Sequence, residues 1–152
     1  GYNMKITDMQ AACGVAQLDR LEDFVEKRKE NFAFMTSCLA PLEDKLILPR
    51  ATANADPSWF GYPITTREGV AVSRRDLLLH LDSCKIGTRL LFAGNITKQP
   101  YFKDLNYRIV GELTNTDIIM NNTFWLGIYP AITEEMMQYI AMQLDSCLNG
   151  AQ

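Results

Sequence analysis

Three separate stretches of this 152-residue chain hold the side chains whose chemistry stands out. Asn3 and Lys5 stand just before a predicted helix start, where free backbone amides and the helix dipole favour an anion. Trp59 and Phe60 are adjacent rings at the head of a predicted strand, and the alternation of a strand lets one of them point inward. Gly87-Thr88-Arg89 and then Gly94-Asn95-Ile96-Thr97-Lys98-Gln99-Pro100-Tyr101 form the third stretch. Its glycines permit close backbone approach, and Arg89 and Lys98 carry charges that suit a phosphate. The chemistry on offer is recognition of an anion and of a flat or apolar ring. The single histidine, His80, falls mid-helix beside leucines and reads as a packed or surface residue. No H-E-x-x-H, G-x-S-x-G, Walker loop or G-x-G-x-x-G occurs, so no catalytic residue is assigned to this chain.

Cysteine offers no metal site either. Cys13, Cys38, Cys84 and Cys147 form no C-x-C or C-x-x-C pair of the kind a structural zinc or iron–sulfur site uses. Cys13, Cys84 and Cys147 fall on apolar helical stripes and read as small core residues of a reducing, cytoplasmic protein. The formal net charge of −3 argues against a nucleic-acid or anionic-membrane surface. No apolar run has the length of a membrane span, so no membrane insertion is expected. At this size about 70% of the unfolded surface can be buried, enough for a core without staples.

The elements that must position these residues follow from periodicity and capping. Thr7 and Gln10 make a T-x-x-Q capping box. Behind it Met9, Cys13, Ala16, Leu21, Val25, Phe32, Met35 and Leu39 recur at helical spacing, predicting one helix of about thirty residues that Pro41 ends. The charge-dense run from Asp19 to Glu30 is its solvated face, with Asp23 and Lys27 in the favourable i, i+4 order. Leu46–Pro49, Ser58–Thr66, Ile86–Phe92 and Phe124–Tyr129 read as strands. Pro63 removes a ladder donor, which predicts an edge or a bulge there. Ser73 caps a helix with the stripe Leu77, Leu78, Leu81 and Cys84. Asn115–Asn122 reads as a helical turn or two. Thr133 caps a last helix bearing Met136, Ile140, Leu144 and Cys147, with Gly150 beyond it. The order α-β-β-α-β-α-β-α gives an α+β class: a long N-terminal helix, residues 1–41, leading into a small α+β domain, residues 42–152, whose mainly antiparallel sheet is covered by helices.

Taken together, Gly1-Tyr2-Asn3 with Lys5, Gln10-Ala11-Ala12 and Gln17-Leu18 resemble the G-Y-N-x-[RK]…AA…QL signature of the DegT/StrS sugar aminotransferases, fold-type I pyridoxal-phosphate proteins. Asp56–Gly61, Gly87–Phe102, Asn115–Asp117 and Phe124–Pro130 are most similar to the branch that makes 3-deoxysugars, the CDP-4-keto-6-deoxyglucose 3-dehydratases of lipopolysaccharide biosynthesis. The resemblance runs over essentially the whole chain. It implies the small C-terminal domain of such an enzyme, inactive alone, with the large cofactor-binding domain outside this chain. It implies Asn3 on the cofactor phosphate across a homodimer, and Lys5, Trp59, Phe60, Arg89, Asn95, Thr97 and Gln99 as candidates for the sugar-nucleotide. Lys5 keeps the charge of the arginine common in the wider family without its bidentate geometry. For the complete enzyme it implies pyridoxamine or pyridoxal phosphate, an iron–sulfur cluster, a CDP-sugar substrate and a partner reductase, with no cofactor on this chain alone.

Two alternatives stay open. One is the small domain of a pyridoxal-phosphate-dependent nucleotide-sugar aminotransferase, separated from the dehydratase by a lysine in place of a histidine upstream. The other is a stand-alone nucleotide-sugar binding module. Under the first reading, apolar faces of the long helix and of the 87–101 loop are expected to lie bare and to drive self-association.

Overall fold

The computed structural model describes residues 5–150. The element order matches the sequence pattern with one division. α1 spans Asp8–Leu18 and α2 spans Leu21–Leu39, followed by β1 (Leu46–Ile47), β2 (Gly61–Thr66), α3 (Arg74–Ser83), β3 (Thr88–Leu90), α4 (Thr114–Asn122), β4 (Thr123–Gly127) and α5 (Glu134–Asn149). The helix starts are local chemistry. Gln10 N donates to Thr7 Oγ1 at 3.3 Å while Thr7 N donates to Gln10 Oε1 at 3.0 Å, which completes the capping box. Ser73 Oγ accepts from Asp76 N at 3.1 Å, and Thr133 Oγ1 from Met136 N at 3.2 Å. Each such cap stabilises its helix by about 1 kcal/mol.

The predicted single long helix is broken at Asp19–Arg20. Neither residue is a helix breaker; what changes there is packing. α2 buries Asn31, Met35 and Leu39, whereas no residue of α1 is buried. Met9 (80% exposed), Val15, Leu18 and Leu21 are all uncovered, and Cys13 is exposed instead of lying in a core. The Asp23–Lys27 pair is replaced by Lys27–Glu30 at 3.0 Å and Lys29–Glu26 at 3.2 Å, an exchange that costs little among solvated charges. Lys29 also meets Asp56 at 2.8 Å and ties the turn before β2 to α2. These bare apolar side chains carry a prediction: sedimentation velocity of the 152-residue chain is expected to show concentration-dependent self-association. A concentration-independent monomer would contradict it.

The four strands form one antiparallel sheet in the order β1-β2-β4-β3. β2 is therefore interior by order, yet Pro63 sits at a local edge. Ile128 N donates to Phe60 O at 2.9 Å and Arg67 N to Lys45 O at 2.8 Å, so odd residues of β2 turn their N–H toward β1. β1 reaches only as far as Thr65, so the donor that proline lacks would have pointed past its end. Even residues face the core: Tyr62 and Ile64, with Phe124 and Leu126 from β4, lie under Leu39, Leu77, Leu81, Met137, Ile140 and Leu144 of the helices. Tyr62 additionally donates from its hydroxyl to Thr36 Oγ1 of α2 at 3.0 Å. In α5 the buried face is Met137, Ile140, Leu144 and Leu148; Met136, expected inside, is half exposed, because the sheet meets the helix one position further round. Among the described residues no helix is long and apolar enough to cross a membrane.

Candidate functional site

The sheet has one face under helices and one face turned away from them. Across the second, the register aligns Pro63, Trp125 and Arg89, from β2, β4 and β3. The adjacent rings divide, one to each side, just before β2, where the chain bends at Phe60 and the parity of the strand does not carry through. Trp59 turns in and stacks on Phe32 of α2, centroids 4.7 Å apart and planes within 10°. Phe60 turns out, 61% exposed, and presents its edge to Trp125 at 5.4 Å and 81°. A shallow cleft of about 230 Å³ runs between them, lined by Trp59, Phe60, Gly61, Pro63, Leu91, Phe92 and Trp125. Phe92 stands 81% exposed at its rim with a φ of 46°, a backbone region that a bulky residue seldom adopts. Strain of that kind persists where neighbouring structure holds it, here the bonds from Phe92 N to Leu90 O and from Gly94 N to Leu91 O.

The long loop is organised for itself. Asn95, 1% exposed, donates from Nδ2 to Asp117 Oδ1 at 2.8 Å, and its Oδ1 accepts from Thr97 N at 3.1 Å and Thr97 Oγ1 at 2.7 Å. Gln99 Nε2 donates to Ala93 O at 2.6 Å, and Lys98 Nζ pairs with Asp117 Oδ2 at 2.8 Å. The Lys98 ammonium first, and the Asn95 amide second, hold the Asp117 carboxyl below its ordinary pKa. Gly94 has a φ of 64°, and a Cβ there would lie 2.5 Å from Met120 Cγ, so the loop lies against α4 closely enough to need glycine.

The structure thus gathers Phe60, Arg89 and the Leu91–Phe92 turn on one exposed face. Asn95, Thr97 and Gln99 bond within their loop and to Asp117 of α4, and Trp59 packs on Phe32 of α2. Lys5 is exposed in the segment ahead of α1; Asn3 lies outside the described residues. Arg89 is exposed and donates from Nη1 to Thr88 O at 2.9 Å. Trp125 was not singled out by sequence, although a large ring alternating with the buried Phe124 and Leu126 was a legible signal. A larger hollow of about 460 Å³ beside α5, walled by Ile86, Leu126, Ile132, Tyr139 and Ile140, contains none of the candidate residues.

The family model described as the DegT/DnrJ/EryC1/StrS aminotransferase family matches residues 1–145. The chain belongs to this family. It is 58% identical to the lipopolysaccharide biosynthesis protein RfbH of Salmonella typhimurium over 145 residues, 95% of this chain and 33% of that protein. It is 46% identical to the dTDP-4-dehydro-2,6-dideoxy-D-glucose 3-dehydratase of Saccharopolyspora spinosa, over 92% of this chain and 30% of that protein. The chain therefore spans about a third of the length of these curated relatives. In fold it is similar to an E. coli GDP-4-keto-6-deoxy-D-mannose-3-dehydratase solved with bound hydrated PLP. That match has a TM-score of 0.85 at 24% identity and covers 95% of this chain and 36% of that one.

PLP can be tested against the face just described. A phosphorylated pyridine needs phosphate donors and a polar partner for its ring nitrogen, and the cleft lining contains no charged side chain. The residues of this cleft do not by themselves make a holder for the group; they make an apolar wall.

Proposed function

We propose that this chain is the C-terminal part of a PLP- or PMP-dependent nucleotide-sugar 3-dehydratase acting in lipopolysaccharide biosynthesis, with a CDP-4-keto-6-deoxyhexose as substrate. The observation that carries the reading is the exposed aromatic face: Phe60, Trp125 and Phe92 meet on the helix-free side of the sheet, with Arg89 beside them. Such a surface presents ring and cation to a sugar-nucleotide but leaves the cofactor to other walls. The similarity to a lipopolysaccharide biosynthesis protein and to a 3-dehydratase favours this chemistry. In this reading residues 1–41 connect to the large domain and residues 42–152 form the small one. Asn3 reaches the cofactor phosphate across a homodimer, and the bare apolar residues of α1 are covered in the assembled, cytoplasmic enzyme. The iron–sulfur cluster and the docking of a reductase belong to the remainder of the protein.

The test compares two lengths of the protein. The 152-residue chain with pyridoxamine phosphate and CDP-4-keto-6-deoxyglucose is expected to show no turnover, and calorimetry no binding of the cofactor. The full-length protein is expected to remove the C3 hydroxyl. Turnover by the short chain would overturn the reading, and tight CDP-sugar binding by it would favour a stand-alone binding module. A 4-amino sugar from the full-length protein would favour an aminotransferase, the fold match to an aminotransferase from Psychrobacter cryohalolentis being equally good at a TM-score of 0.84.

A further inference from the structure

Trp125 touches both halves of the exposed aromatic face. On one side Phe60 lies edge-on against it at 5.4 Å. On the other its Nε1 donates to Leu90 O at 3.2 Å, the last carbonyl of β3 before the chain turns through Leu91 and Phe92. Beneath it Gly61 leaves room for the indole, since a Cβ at that position would lie 2.6 Å from Trp125 Cε3. Its strand neighbours Phe124 and Leu126 are locked in the core, so the backbone beneath the ring is fixed. An indole with a ring packed near a right angle to it, a glycine floor and a hydrogen-bonded N–H has little freedom left.

Resting on the function proposed above, we infer that Trp125 is a positioning residue for the substrate-facing wall: it sets the Phe60 ring and the Leu91–Phe92 turn at one fixed separation and angle. A nucleotide-sugar laid on that wall is then oriented by a rigid pair of elements instead of two independent loops. Orientation of that kind acts on the chemical step more than on binding, because a misplaced substrate still binds but reaches the reactive geometry less often.

The experiment uses the full-length protein with CDP-4-keto-6-deoxyglucose and three variants. Trp125→Phe keeps a ring over Gly61 and removes the indole donor. Its kcat is expected to fall about three- to ten-fold, the effect of one hydrogen bond, with KM nearly unchanged. Its melting temperature is expected within about 3 °C of the parent, and hydrogen exchange is expected to rise in residues 88–92. Gly61→Ala pushes the indole off its floor and is expected to give the same kcat defect. Phe60→Ala reports on the function reading itself. Wild-type kinetics in Trp125→Phe and Gly61→Ala alongside an impaired Phe60→Ala would overturn the inference and leave that reading standing. A kcat loss in Trp125→Phe matched by an equal loss of folded enzyme would make the role merely structural and also overturn it. Wild-type kinetics in all three variants would remove the inference together with the assignment of Phe60.

Discussion

Phe124→Ala is expected to lower stability by about 3–5 kcal/mol, the range for emptying an aromatic site in a closed core. Phe124 is fully buried in β4, which is hydrogen-bonded on one side to β2 and on the other to β3. Ile64 and Leu90 stand directly across from it on the two neighbouring strands. The backbone around it thus has ladders on both sides and cannot collapse toward the void, which is the circumstance that puts such substitutions at the upper end of their range. At about 2–4 °C per kcal/mol for a chain of this size, the melting temperature should fall by roughly 6–20 °C. Phe124→Leu, which keeps most of the volume, should cost less than about 1.5 kcal/mol. Differential calorimetry of both variants checks the pair. A fall of less than 3 °C in the alanine variant would mean that the sheet and helices do not share one core.

What could be read from sequence was what is decided within a few residues. Thr7, Ser73 and Thr133 cap as expected because a hydroxyl and an amide three positions apart need nothing else. The buried stripes of α3 and α5 were legible to within one position, Met137 replacing Met136, because periodicity gives a face and the neighbouring sheet chooses its exact centre. The break at Asp19–Arg20 was not legible, since apolar spacing continues through it and only tertiary cover distinguishes α2 from α1. Pro63 showed the same limit from the other side. Its effect depended on where β1 stops, which a proline cannot announce. The site divided along similar lines. That one of the rings at 59 and 60 turns inward was legible, but which one was not, because both precede β2 and stand against its parity. An asparagine in a long loop likewise looks equally suited to a ligand and to its own loop. In the structure Asn95 is buried and bonded to Asp117, twenty-two residues away, a contact that local sequence does not announce.

That burial makes a pair of substitutions at Asn95 informative. Asn95→Ala removes the acceptor for Thr97 and the donor to Asp117 together. Protection against hydrogen exchange at residues 97–99 is expected to fall about ten- to a hundred-fold, the loss of more than one buried hydrogen bond. Asn95→Asp keeps an acceptor for Thr97 but sets a second carboxylate against Asp117, where an amide had donated at 2.8 Å. Two carboxylates that close resist joint ionisation, so the last proton of the folded pair is held more tightly than by an ordinary carboxylate. A raised acid pKa is a penalty that is complete at neutral pH and relieved as protons bind on acidification. In the parent the sign is opposite. Lys98 and Asn95 depress the Asp117 pKa, so their contribution is present above the ordinary carboxylate value and disappears as pH falls through the lowered one. Protection of the 97–99 amides, relative to the parent, is therefore expected to recover between pH 7 and pH 4 in Asn95→Asp and to recover less in Asn95→Ala. Parallel curves for the two variants would mean that the loop is held by its backbone turns and not by the Asn95–Asp117–Lys98 contacts.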